Sequence, residues 1–119
     1  MSNNTIVGAV IADIHWGAMD AKTLYEELDN GFLKYLKSSK ILDFVVIAGD
    51  LFDTKLHLSS DHVKYSFIFL KKLIDICIKK NTKLRIIKGT SSHDHGQLSV
   101  LQSFSNLGAD FKIISSQNP

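Results

Sequence analysis

The sequence predicts an α/β domain with a mainly parallel sheet, its elements running β-α-β-α-β-α-β. Three observations predict it: four short runs rich in β-branched residues, helical spacing of apolar residues between them, and connections long enough for right-handed crossovers. The strand runs are Thr5 to Ala12, Phe44 to Ala48, Lys83 to Lys88 and Phe111 to Ser115. The first two are nearly continuous apolar stretches, the pattern of strands covered on both faces, so helices are expected on both sides of the sheet.

Leu24, Leu28, Phe32, Tyr35 and Leu36 lie three to four apart between the first two strands, with Asp20 or Thr23 placed to cap the helix start. Val63, Phe67, Leu70, Ile74 and Cys77 repeat in the same way before the third strand. Ser59 or Ser60 can cap that helix, and Lys79 and Lys80 suit the dipole at its end. Leu98, Leu101 and Leu107 predict a third helix, stopped by Gly108 before the fourth strand.

Composition narrows the class. A chain of 119 residues that is 45% hydrophobic and 22% charged, with one proline, can bury a core and is not a linker. Its longest apolar runs fall far short of the roughly 20 residues of a membrane span. The segment Met1-Ser2-Asn3-Asn4-Thr5 lacks the basic stretch of a secretory signal. The single cysteine, Cys77, can form neither an internal disulfide nor a thiolate cage, so it reads as a core residue in a reducing compartment, and any metal must use nitrogen and oxygen. A net charge of +2 does not by itself select nucleic acid as a partner.

Three polar clusters follow the first three strands: Asp13-Ile14-His15, Gly49-Asp50-Leu51-Phe52-Asp53 and Gly89-Thr90-Ser91-Ser92-His93-Asp94-His95. All three fall at carboxyl ends of strands, the edge where loops of an open parallel sheet converge. In an extended segment Asp13 and His15, two apart, point to one side and can grip one ion. Gly49 lets the chain turn sharply and leaves the Asp50 carboxylate free. Carboxylate with imidazole suits manganese, zinc or iron. Each cluster alone is what an ordinary turn looks like; their conjunction on one edge is what points to a metal site.

These motifs resemble the first three of the calcineurin-like metallophosphoesterases, whose pattern is D-x-H, G-D-x-x-D and G-N-H-[DE]. The strings Ala12-Asp13-Ile14-His15-Trp16-Gly17 and Ala48-Gly49-Asp50-Leu51-Phe52-Asp53 resemble most closely the Mre11/SbcD-type nuclease branch, in bacteria and phages. The resemblance implies two divalent ions, manganese first, with zinc, iron or magnesium as alternatives. Asp13 and His15 would bind the first, Asp50 would bridge both, and Ser92 stands where the family has a liganding asparagine. His93, oriented by Asp94, would protonate the leaving oxygen. The implied substrate is DNA or another phosphodiester. The implied partners are an SbcC/Rad50-like coiled-coil ATPase subunit and a second copy of the chain, in the cytoplasm and without a membrane. The family's remaining ligands, an isolated histidine and a G-H-x-H, have no match here, so residues 1–119 are expected to be the N-terminal part of a longer catalytic domain.

Two other functions stay open at this point: a phosphomonoesterase or small cyclic-nucleotide phosphodiesterase of the same fold, and a non-catalytic scaffold that binds a protein partner. Trp16 could stack on a base or pack over the metal loop. His57 is expected in an exposed loop, His62 solvated in a first helical turn, and His95 supporting the third loop. Lys79, Lys80, Lys83, Arg85 and Lys88 read as solvation and dipole matching, because most of them fall at the edge opposite the metal loops.

Overall fold

In the computed structural model, residues 5–94 and 97–115 are described. Four strands, β1 (Gly8–Ile11), β2 (Phe44–Ala48), β3 (Lys83–Ile87) and β4 (Asp110–Ile114), form one sheet in the order β1-β2-β3-β4, every pair parallel. The expected α/β alternation is therefore what the chain adopts. β2 has the expected bounds, and the others differ from expectation by a few residues at their ends.

Stepping from each strand to its next neighbour in one direction, with right-handed crossovers, places every connecting helix on the same face. Burial follows that geometry. Val45, Ile47, Leu84, Ile86 and Phe111 are buried in one core with Leu24, Leu28, Leu36, Phe69, Leu73 and Leu101 from the helical segments. The alternate positions are not covered: Val10 is 63% exposed, Ile87 is exposed, and Phe44, Val46 and Ala48 are only half-buried. The expectation of a sheet covered on both faces is thus corrected. An apolar run predicts low polarity on both faces of a strand, but the order of strands decides which face receives a layer.

The first crossover is a helix interrupted by a π turn: α1 (Ala21–Leu28), the π segment Asp29–Leu33, and α2 (Lys34–Ser38). Of the two possible caps, Asp20 is the one used; its Oδ2 accepts from the Thr23 N–H at 3.0 Å. The wider turn moves the buried stripe from Leu28 to Leu33, five residues on, and then to Leu36. Tyr35, expected on the apolar face, is consequently 70% exposed.

The second crossover is α3 (Asp61–Lys80), 20 residues capped by Ser60, whose Oγ accepts from Val63 N at 3.2 Å. It ends on Asn81 in the left-handed region at φ 52°, and Lys79 and Lys80 occupy its last turn. Cys77 is buried in the core, which pushes its thiol up to about 11 and keeps it protonated at neutral pH. The third connection contains a short turn, α4 (Ser91–Asp94), and then a 3₁₀ helix over Gln97–Leu107. Leu98 and Leu101, three apart, eclipse on one side of it and are buried, while Leu107 is exposed. Gly108, at φ 102°, ends it as expected.

Candidate metal centre

The loops after β1 and β2 are zipped to each other beyond the strands. Asp13 N donates to Gly49 O at 3.2 Å, His15 N to Asp50 O at 3.1 Å, Trp16 N to Leu51 O at 3.0 Å, and Asp53 N to Trp16 O at 2.9 Å. This ladder is not extended chain. Asp13, His15 and Asp50 have φ of 55°, 56° and 51°, left-handed values that L-residues adopt at a cost. Asp13 and His15 do share a side, as expected, but through two left-handed residues flanking the buried Ile14 rather than through a strand pleat.

The loop after β3 closes on Asp50. A Cβ at Gly89 would overlap the Asp50 carboxylate and backbone nitrogen, so only glycine fits there. Asp50 Oδ1 accepts from Thr90 N at 2.8 Å and Thr90 Oγ1 at 3.1 Å. Those bonds, the Thr90 N–H first and the neighbouring His93 next, hold the Asp50 carboxyl down at about 2. Its second oxygen is left facing the histidines.

Around that oxygen the site assembles. Asp50 Oδ2 lies 3.0 Å from His93 Nδ1 and 3.7 Å from His15 Nε2. The two imidazole rings are tilted against each other with centroids 4.8 Å apart. His15 Nε2 is also 3.7 Å from Asp13 Oδ1, and His15 Nδ1 is 3.6 Å from Asp53 Oδ1. His15 Nε2 and His93 Nδ1 are both buried without an aligned hydrogen bond, although a carboxylate is near each. Asp50 raises the pKa of His93 above its ordinary value by its proximity, and Asp53 and Asp94 add to the effect.

Two inward-facing nitrogens and a carboxylate oxygen, all within 4.8 Å of one another, are a donor set a divalent cation can fill. Mixed imidazole and carboxylate donors suit manganese, zinc or iron better than calcium. The unsatisfied nitrogens support the fit, since a buried polar atom without a partner costs free energy that a metal bond would recover.

The structure brings Asp13, His15, Asp50 and His93 together at the carboxyl edge of the sheet. It places Asp13 on the rim, its side chain 70% exposed, and His93 with His15 and Asp50 in the group that could hold a metal ion. Asp94 does not orient His93 as expected. Its fully buried carboxylate accepts from Phe52 N at 3.2 Å and from Gly89 N at 2.6 Å, clamping the second loop to the third. The Ser92 side chain and His95 lie outside the described residues.

Asp53, the last residue of the G-D-x-x-D motif, stands against the ring nitrogen of His15 that faces away from Asp50, a place that its position in the motif signals. At 3.6 Å the contact is electrostatic, beyond hydrogen-bond length. Trp16 is fully buried and packs on Phe69, with ring centroids 6.3 Å apart, so it does not offer a stacking face. His57 is exposed, as expected, whereas His62 is half-buried with an unpartnered Nδ1 instead of solvated. Two of the lysine-cluster residues have local partners: Lys80 Nζ donates to Ser39 O at 2.6 Å, and Arg85 pairs with Asp110 at 3.1 Å.

No protein-family model matches the chain, and neither a curated protein nor a solved structure matches it.

Proposed function

We propose that the chain carries the metal centre of a divalent-metal phosphodiesterase, a DNA nuclease subunit acting in recombination or repair. The observation that carries this reading is the convergence of His15, Asp50 and His93 from three separate strand ends. Asp13, His15 and Asp50 would hold the first ion, and Asp50 would bridge to a second. When bound, the ions neutralise charge on a phosphoryl oxygen and lower the pKa of water.

The chain's own residues do the rest. Asp53 lends negative charge beside His15. Thr90 occupies one oxygen of Asp50, so that the other faces the ions. His93 stands beside Asp50 at the same site, and its Nε2, the nitrogen not turned toward Asp50, would donate a proton to the leaving oxygen. In this reading the substrate is DNA or another phosphodiester, the partners are a coiled-coil ATPase subunit and a second copy, and the compartment is the cytoplasm.

Manganese-dependent hydrolysis of bis-p-nitrophenyl phosphate by the protein from its complete reading frame tests the proposal. His93→Gln is expected to lose about 10²–10⁴-fold in rate. Manganese should still raise the thermal midpoint of His93→Gln, and should raise it far less in His15→Ala. Equal, metal-independent rates in wild type and variant would overturn the reading. Faster turnover of p-nitrophenyl phosphate than of DNA would point to a phosphomonoesterase.

A further inference from the structure

A cavity of about 170 Å³ opens between the loop after β2, the first turns of α3 and the 3₁₀ helix. Phe52 and Leu101 are buried at its base, and Leu56, Val63 and Phe67 wall it. The Phe67 ring is fixed by an edge-on contact with Phe104 at 5.5 Å. Gln97, the one uncharged polar residue among the described lining residues, is committed to the cavity's frame: Nε2 donates to Thr54 O at 2.9 Å and Oε1 accepts from Leu56 N at 2.8 Å. At the mouth stand Leu58, 84% exposed, and Val100, 58% exposed. Lys55 is the one charged residue among the described lining residues and has no ion pair among the described residues.

We infer that this cavity binds a small free aromatic anion, its ring in the apolar chamber and its acidic group at Lys55. Size selects the ring: an apolar chamber of about 150 Å³ in a protein core is enough to hold benzene. Phe52 and Phe67 favour an aromatic guest, because offset and edge-on ring contacts add to simple burial. Charge selects the anion, since a lone lysine at the mouth faces no competing carboxylate among the lining residues. The chamber holds one ring and little more, which favours a free molecule over a polymer segment. None of this depends on the proposed metal centre, whose ligands do not line the cavity.

Fluorine NMR of para-fluorobenzoate titrated with the full chain in the presence of EDTA tests it. Saturable binding is expected, weakened about tenfold in Lys55→Gln. Binding of neutral fluorobenzene should be unchanged by that substitution, which lies on an exposed side chain and leaves the fold intact. Val63→Phe, which fills the chamber, should abolish both, and Leu107→Ala, on exposed surface elsewhere, should alter neither. Absence of saturable binding by wild type, or unchanged para-fluorobenzoate affinity in Lys55→Gln, overturns the inference. So does displacement of the probe by a Phe-Glu dipeptide at lower concentration than by benzoate.

Discussion

At the edge where the strands begin, Thr82 Oγ1 donates to Leu42 O at 2.6 Å, and Asp43 ties the first loop to the second through Val7 N at 2.8 Å. At the edge where they end, His15 Nε2 is buried without a hydrogen-bond partner, and His93 Nδ1 has only the Asp50 carboxylate, at 3.0 Å. The backbone divides in the same way. Of the described non-glycine residues at positive φ, Asp13, His15 and Asp50 are at the strand ends; the remaining one, Asn81, is a helix cap at the other edge, where a left-handed residue is ordinary. Both edges join the same strands and helices. One is satisfied and relaxed; the other concentrates strain and unsatisfied polar atoms, which is where the surrounding structure has been made to hold a geometry that folding alone does not favour.

The sharpest way to break this contrast is Asp94→Ala. It removes the acceptor of two backbone N–H groups that join the second and third loops, and should cost about 2–5 kcal/mol in urea denaturation. A loss near zero would mean that the loops are held by the strands alone. Gly89→Ala comes next. Its Cβ meets the Asp50 backbone rather than a flexible side-chain end, so about 1–3 kcal/mol is expected, together with loss of the manganese-induced rise in thermal midpoint. A variant that kept that rise would show that the close approach of the loops does not shape the pocket.

The metal-free protein should also reveal the strained edge through pH. Asp50, held at about 2 against an ordinary 3.8, contributes stability that is present above 3.8 and lost as pH falls through about 2. His93, raised above 6.5, contributes stability that is full below 6.5 and lost as pH rises through its raised value. These two groups together favour the interval between about 4 and 6.5. Urea midpoints across pH should flatten on both limbs in Asp50→Asn; an unchanged profile would locate the dependence elsewhere. The smallest effect belongs to the relaxed edge. Asn81→Gly keeps the left-handed cap and should change stability by less than about 0.5 kcal/mol, with metal binding untouched.

Much of this contrast was written in local sequence. β2 could be bounded from Phe44 to Ala48, and a helix start at Ser59 or Ser60 and a stop at Gly108 were legible, because caps and strand runs are set by neighbours in the chain. Tyr35 was misplaced because a π turn changes the period of the apolar stripe, and a fixed helical repeat does not register it. The uncovered sheet face escaped for a different reason: an apolar run describes a strand, and layering depends on the order in which strands pair.

By itself the sequence determined that Asp13, His15, Asp50 and His93 would sit at strand ends, since alternating strands and helices in a parallel sheet send every βα loop to one edge. Only the tertiary structure decided what each carboxylate does there. Asp53 turns to His15, and Asp94 to the backbone of Phe52 and Gly89, because contacts between loops about 40 residues apart depend on register, left-handed turns and the room left by a missing Cβ at Gly89.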